Sequence, residues 1–170
     1  TYLDAKGNPM KRSAGYFIIV TTLANGKAID DFYYDAEGQR IQHICGYYGF
    51  HREYDLDGQN FGITYLDKEG RTICSSAGYA SVTYQRDMDG AIVGEQYFDT
   101  DGNPARSLFG QYGESYQRNE QGHIGQITYL DADGNPAPTN AGYTILKRTY
   151  HRDGTADTDM FFDANGNPKA

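Results

Sequence analysis

Short alternations of hydrophobic and polar residues run along the whole chain. Over residues 48–54 the even-numbered positions share one face of an extended strand, while His51 and Glu53 point to the other face. The same alternation returns over 80–86, with Val82 on one face and Thr83 on the other. A period of two over aromatic and β-branched residues is typical of β-strands. Because no ten-residue amphipathic helix can be written anywhere, the pattern predicts an all-β chain.

An aromatic–Asp–x–x–Gly box recurs along the chain and sets its period. Its copies occupy residues 2–9, 33–38, 65–70, 97–104, 129–136 and 161–168. The box aspartates are spaced by 31 residues once and then by 32 residues four times. Two further glycine series, one starting at Gly26 and one at Gly15, keep the same phase. Three series in phase indicate an internal repeat rather than a biased composition.

Each repeat is predicted to be a β-hairpin. Pairs such as Asp57-Gly58 and Asp153-Gly154 tolerate the positive φ that tight turns require, and about eight irregular residues are expected to join successive hairpins. A lone hairpin is only marginally stable in water, so the units must bury their aromatic faces against neighbours. We therefore expect a continuous spine of box aromatics. Its members would be Tyr33, Tyr65, Tyr97, Tyr129 and Phe161.

The predicted fold class is all-β, an elongated solenoid-like stack of β-hairpins with a 32-residue repeat and about five units. The units are expected at approximately 4–35, 36–67, 68–99, 100–131 and 132–163, with a terminal partial unit after them. Residues 1–170 would form one such array. Because the chain opens at Thr1 inside a repeat, we interpret it as a fragment of a longer chain.

Composition and charge restrict the classes of function that the chain can have. With 16 Tyr, 21 Gly, no Trp and a mean hydropathy of −0.72, the chain suits a thin, half-exposed sheet with tyrosine in its core. A net charge of −8 would repel a phosphate backbone, so nucleic-acid binding is not expected. The longest aliphatic stretch, 17–20, is far shorter than the ~20 residues of a membrane-spanning helix. Cys45 and Cys74 occupy different places in the repeat, and we interpret them as structural or free thiols.

Each later repeat also places one arginine and one tyrosine at two fixed positions on one strand face, in either order. The pairs are Arg52 and Tyr54, Tyr84 and Arg86, Tyr116 and Arg118, and Arg148 and Tyr150. If the repeats align in register, guanidinium planes would lie on tyrosine rings, worth roughly 0.5–1 kcal/mol each at exposed sites.

Residues that carry chemistry do not form a recognisable catalytic or metal motif. The aspartates around Asp99 and Asp131 resemble a calcium loop, but the twelfth position holds glycine where a bidentate glutamate is needed. Asp side chains that cap their own turns explain the boxes, and calcium stays open as the alternative. The four histidines do not recur in one repeat position, as a zinc site would favour. We therefore expect no catalytic residues, no bound metal and no cofactor, and hence not an enzyme.

The boxes at 97–104 and 129–136 carry the full pattern Tyr-x-Asp-x-x-Gly-Asn-Pro. Over its whole length the chain resembles bacterial β-hairpin repeat arrays of that pattern. It is similar to cell-wall and glucan-binding repeats and, more distantly, to MORN-type and YD (Rhs) repeats. The resemblance implies a non-catalytic binding module of a bacterial surface-associated protein whose partner is a cell-wall polymer or other polysaccharide. It also implies a cell-surface or secreted location, with a cytoplasmic location left open.

The candidate ligand contacts are tyrosines that follow the third glycine series. Tyr47, Tyr79 and Tyr143 come directly after that glycine, and Tyr112 is shifted by one residue. A tyrosine ring can stack on the C–H face of a sugar while its hydroxyl forms hydrogen bonds, and repetition would add avidity. The alternative is a protein–protein interaction or spacer array. Its contacts would be the outer polar residues His51, Glu53, Thr83, Gln85, Lys147 and Thr149.

Overall fold

The computed structural model describes residues 6–7 and 10–169, and within them the chain forms β-strands and no helix. The strands are β1 (Ile18–Ala24), β2 (Lys27–Tyr34), β3 (Gly49–Tyr54), β4 (Asn60–Leu66), β5 (Ser81–Arg86), β6 (Ile92–Phe98), β7 (Gly113–Arg118), β8 (Ile124–Leu130), β9 (Ile145–Tyr150), β10 (Ala156–Phe162) and β11 (Pro168–Lys169). The all-β prediction is confirmed. The first box, 2–9, lies outside the described residues except for Lys6 and Gly7. In the described ranges no helix has the length and apolar character needed to cross a membrane.

The chain divides into two compact units. One contains the residues up to Val82 together with Asp99–Gly102, and the other contains Thr83–Phe98 and the residues from Asn103 onward. In the first unit β1 to β4 each pair antiparallel with the next strand, as do β6 to β11 in the second. Pairing within a hairpin is longer than pairing between hairpins: β3 and β4 align six residue pairs, but β2 and β3 only three. The predicted stack of hairpins is confirmed.

Aspartate and glycine close the turns as predicted. At the end of β3, the Asp55 carboxylate accepts a hydrogen bond from the Gln59 amide at 2.8 Å, while Gly58 donates to the Asp55 carbonyl at 3.0 Å. Gly58 has a φ of +81°, which residues with a Cβ adopt only at a cost. In the box turn after β8, the Asp131 carboxylate accepts in the same way from the Asn135 amide at 2.8 Å. These are the Asx turns that the sequence predicts.

The segments that join hairpins are more ordered than predicted. After β4, Leu66 and Thr72 form an isolated antiparallel bridge. A further turn follows, in which Ser75 donates to the Tyr79 carbonyl at 2.9 Å and Gly78 to the Ser75 carbonyl at 3.1 Å. These segments lie outside the strands, as predicted, and their backbone groups hydrogen-bond to one another, so that these groups have partners.

Side chains alternate between two faces of the paired strands, which we call the ring face and the polar face. The ring face carries Asp31, Tyr33, Phe50, Arg52, Ile63 and Tyr65 in the first unit, and Glu95, Tyr97, Glu114, Tyr116, Ile127, Tyr129 and Leu146 in the second. The polar face of the second unit carries Gly94, Gln96, Gly113, Ser115 and Thr128. Buried side chains lie mainly on the ring face, where Tyr97 and Tyr129 are 3% and 8% exposed. The core is therefore one-sided.

Aromatic rings on the ring face contact one another in sequence, and we call this arrangement the aromatic row. Its members are Tyr16, Tyr33, Tyr47, Tyr65 and Tyr79 in the first unit, and Tyr129, Tyr143 and Phe161 in the second. The predicted ring-to-ring packing is present, but two columns build it rather than one. The box rings Tyr33, Tyr65, Tyr129 and Phe161 contact tyrosines of the third glycine series, as when Tyr47 stacks on Tyr65 at 4.6 Å.

Arg52 on the ring face uses other partners than the predicted tyrosine ring. The Arg52 guanidinium lies 4.5 Å from the centre of the Phe50 ring, and its Nη2 is 2.7 Å from the Asp31 carboxylate. The Tyr54 hydroxyl donates instead to the Ala28 carbonyl at 2.8 Å. In this part of the first unit the aspartate and Phe50 outcompete tyrosine for the guanidinium, because a close carboxylate offers a charge-assisted hydrogen bond.

Candidate functional site

Three of the four tyrosines predicted to contact ligand belong to the aromatic row. Tyr47 stacks on His43 at 4.9 Å as well as on Tyr65, and Tyr79 lies 6.0 Å from Tyr65. Tyr143 lies 5.5 Å from Tyr129 and 4.5 Å from Phe161. All three are half-buried. Each therefore packs part of its ring against neighbours and keeps part of it accessible.

The fourth, Tyr112, occupies a different position in its repeat. Its amide donates to the Leu130 carbonyl at 2.8 Å, as the Thr144 amide does to Phe162 in the next repeat. The residue that corresponds to Tyr143 is Gln111, because Ser107 donates to the Gln111 carbonyl just as Thr139 donates to that of Tyr143. An amide thus takes the place of one ring.

A cleft opens where this ring is replaced, and we call it the Gln111 cleft. It has a volume of about 230 Å³. Its lining residues are Phe109, Gln111, Glu114, Tyr129, Thr139 and Tyr143. Phe109 at its mouth is 71% exposed, whereas Gln111 is 5% exposed. Aromatic walls and a few convergent polar groups are typical of a small-molecule site.

Hydrogen bonds fix the polar groups of the cleft in place. The Ser107 hydroxyl donates to Gln111 Oε1 at 2.9 Å, and Gln111 Nε2 donates to Glu114 Oε1 at 3.0 Å. The Tyr116 hydroxyl donates to Glu114 Oε2 at 3.1 Å. Gln111 and Glu114 are therefore pre-organised, which lowers the entropic cost of binding.

Two carboxyl groups face each other beneath the cleft. Glu114 on β7 pairs in register with Glu95 on β6, and the Glu95 carboxylate accepts a hydrogen bond from Tyr97. Burial, together with the facing Glu95, raises the pKa of Glu114 above its ordinary value. Burial and these same carboxyl groups also raise the pKa of the Tyr116 hydroxyl, which therefore acts as a hydrogen-bond donor.

Glu114 is a residue that the sequence reasoning missed. The corresponding residues of the other repeats are Phe50, Val82 and Leu146. A single carboxyl group in an otherwise apolar column is the signal that could have identified the site. It appears only when strand positions of successive repeats are compared, because Glu114 belongs to no motif.

A second cleft lies on the polar face of the second unit. It has a volume of about 270 Å³ and is lined by amide and hydroxyl groups, including those of Gln85, Gln96, Ser115 and Thr128. Gly113 forms part of its floor, where a Cβ would lie 2.4 Å from the Glu95 carbonyl oxygen. Of the outer polar residues predicted to contact a protein partner, only Gln85 lines this cleft.

The histidines have separate local partners. His123 stacks on Tyr150 at 4.7 Å, and His51 Nδ1 lies 2.7 Å from an Asp30 carboxylate oxygen. Over the part of the chain that the structure describes, no three His, Cys, Asp or Glu residues are grouped so that they could hold a metal ion.

Comparison of the chain with protein-family models and with curated proteins gives no match.

Proposed function

We propose that the chain is a non-catalytic repeat module of a bacterial surface-associated protein and that it binds cell-wall or another polysaccharide. The aromatic row with the Gln111 cleft beside it carries this proposal. Half-buried tyrosine rings recur in the repeats of Tyr47, Tyr79 and Tyr143, and Tyr143 belongs both to the row and to the cleft. Rigid rings lose little conformational entropy on binding, and repetition adds avidity to weak individual contacts.

The carboxyl pair supports binding rather than catalysis. Glycoside hydrolases use two carboxyl groups that flank the scissile bond. Glu114 lines the Gln111 cleft, whereas the Glu95 carboxyl, which faces Glu114 on the ring face, is not part of that lining. A sugar in the Gln111 cleft would thus meet one carboxyl group directly, and the pair would not enclose a glycosidic bond.

Affinity electrophoresis in gels that contain soluble polysaccharides tests the proposal. We expect a cell-wall or related polysaccharide to retard the protein, and Tyr79→Ala or Tyr143→Ala to weaken binding roughly three- to tenfold, the size of one aromatic contact. Tyr143→Phe separates the hydroxyl from the ring, because it keeps the packing on Phe161. Met88→Ala is the matched control, since this side chain is fully exposed at a hairpin turn.

The polar-face cleft favours a second candidate function, a protein-binding array. Amide and hydroxyl groups such as those of Gln96 and Ser115 suit an extended peptide backbone as well as a sugar. Ser115→Asp would disturb this cleft and leave the aromatic row intact. If no polysaccharide in the panel retards the folded protein, the carbohydrate proposal fails and the protein-binding alternative gains support.

A further inference from the structure

In the second unit, Gln111 stands where the repeat pattern places a ring of the aromatic row, and the Gln111 cleft lies there. Tyr47 stacks on Tyr65 at 4.6 Å, and Tyr143 contacts Phe161 at 4.5 Å. The box ring that comes after Gln111 in the same pattern is Tyr129, which lines the cleft instead of meeting a tyrosine there. The protein thus leaves room for a ring that its own sequence does not supply.

The dimensions of the cleft fit one ring. About 230 Å³ is below the ~300–1,000 Å³ of sites for drug-sized ligands. Tyr129 and Tyr143 supply aromatic walls, and the exposed Phe109 extends the wall at the mouth. A single saturated ring can stack there, while the rest of a polymer continues outside.

The polar groups of the cleft match a sugar. A carboxylate can accept about four hydrogen bonds, and Gln111 and Tyr116 donate two of them to Glu114. The Gln111 amide nitrogen has a second hydrogen to donate. Each sugar hydroxyl both donates and accepts, so adjacent substituents of one pyranose can satisfy the carboxyl and the amide together.

Charge selects among sugars. Two other acidic residues at the repeat position of Glu95 have arginine partners: Asp31 lies 2.7 Å from Arg52, and Asp159 lies 2.6 Å from Arg148. At the repeat position of those arginines, the β7 strand next to Glu95 carries Tyr116. The carboxyl pair of Glu95 and Glu114 therefore favours a ligand that brings its own positive charge, and the aromatic walls attract the same charge.

We propose that the Gln111 cleft is a subsite for one pyranose with a free amino group, with the ring against Tyr129 and Tyr143 and the ammonium at Glu114. This inference rests on the proposed polysaccharide-binding function and names the class of sugar. The site departs from the repeat pattern at Gln111 and Glu114, as functional sites do when binding outweighs local stability.

Calorimetric titration with β-1,4-linked oligomers of equal length tests the inference. The three probes are oligomers of glucosamine, of N-acetylglucosamine and of glucose, which share the ring and differ in charge. We expect glucosamine oligomers to bind roughly ten- to a hundredfold more tightly than the others, the effect of one hydrogen bond to a charged group. Glu114→Gln keeps the shape of the cleft and should abolish the preference, and Gln111→Tyr should fill the cleft and abolish binding there.

The pH dependence gives a second readout. The titratable groups against Glu114 are Glu95, Tyr97, Tyr116 and Tyr129. Protonation of Glu114 removes the negative charge, so the preference for glucosamine should fade as the pH falls through the raised pKa of Glu114. Glu114→Gln should show no such change.

The outcomes separate this inference from the proposed function. Equal affinity for the three oligomers, with Tyr79 and Tyr143 still required for polysaccharide binding, overturns the amino-sugar subsite and leaves the proposed function in place. A preference that survives Gln111→Tyr overturns it too, because binding then lies elsewhere. If Nα-acetyl-lysine amide binds as tightly as glucosamine and depends equally on Glu114, the site takes a peptide amine and the inference is wrong. Absence of binding to every saccharide refutes the proposed function itself.

Discussion

Restoring the repeat pattern at the Gln111 cleft should stabilise the protein. The double variant Gln111→Tyr/Glu114→Leu replaces the two exceptional residues by those that other repeats use. Leucine at this position is buried in the next repeat, where Leu146 is 7% exposed. Burying a leucine side chain is worth about 1.5–3 kcal/mol, of which the methylenes of Glu114 already supply a part. The new tyrosine adds about 0.5–1.5 kcal/mol by stacking as Tyr47 does on Tyr65.

The stabilising interactions that the double variant loses are worth less than those that it gains. The hydrogen bond between Ser107 and Gln111 is lost, at about 1 kcal/mol, while Tyr116 can turn its hydroxyl towards Glu95. The net gain should be roughly 1–3 kcal/mol at pH 7, or about 2–12 °C in melting temperature for a chain of this size. Urea denaturation followed by circular dichroism measures the change as a shift of the midpoint.

The sign of the pH effect follows from Glu114. Because its pKa is raised in the folded state, the folded protein binds the proton more tightly than the unfolded chain. Stability associated with this group is therefore highest in acid and falls as the pH rises from about 4.3 through the raised pKa. The advantage of the double variant should be smaller at pH 4 than at pH 7. A double variant no more stable than the wild type at pH 7 would refute the reasoning.

Further substitutions test the fold and its ion pairs, each by urea denaturation. Gly113→Ala should lower the free energy of unfolding by about 2–3 kcal/mol, since its Cβ would lie 2.4 Å from a carbonyl oxygen. Gly134→Ala has open space around its Cβ but a φ of +83°, so it should lower the free energy of unfolding by about 1–2 kcal/mol. Gly125→Ala, whose nearest atoms lie 3.8 Å away, is the control and should change stability by less than about 0.5 kcal/mol. Equal losses of stability at the three sites would contradict the ranking expected from these contacts. Arg148→Met should lose only about 0.5 kcal/mol, because the pair with Asp159 is one-third exposed. A loss above about 2 kcal/mol would mean that this ion pair holds the hairpin together.

The sequence predicted the strands and turns well because the same strand and turn patterns recur in several repeats. The alternation in 48–54 and 80–86 reappears as β3 and β5, and the Asp-Gly pairs close the hairpins. Six copies of the box made the Asx turn recognisable without any single copy being decisive. Local preferences and the packed structure agree there, which is the condition under which sequence patterns predict structure.

The joins and the row were predicted less well, for a different reason. The turn that ends at Tyr79 has no strong sequence signal apart from Gly78, and its order comes from backbone hydrogen bonds. The box rings were expected to form a spine on their own. Tyr47 and Tyr143 complete the row because their turn brings them back over the ring face, which is a tertiary effect.

The Gln111 cleft could not be predicted from motifs. Glu95 and Glu114 belong to no familiar motif, and they meet because β6 and β7 pair in a particular register. A one-residue shift of that register would place Glu114 on the polar face. The tyrosine signal also misled: Tyr112 stands next to the position of the missing ring, and only the hydrogen bonds show that Gln111 occupies it.

Magnetic resonance titration with glucosamine oligomers tests the central claim most directly, because it locates the ligand. The side-chain amide signal of Gln111 and the ring signals of Tyr129 and Tyr143 should shift together and saturate at one oligomer concentration. Signals of Gln85 and Gln96 on the polar face should stay in place. Shifts confined to the polar face, or none at saturating oligomer, would contradict the account.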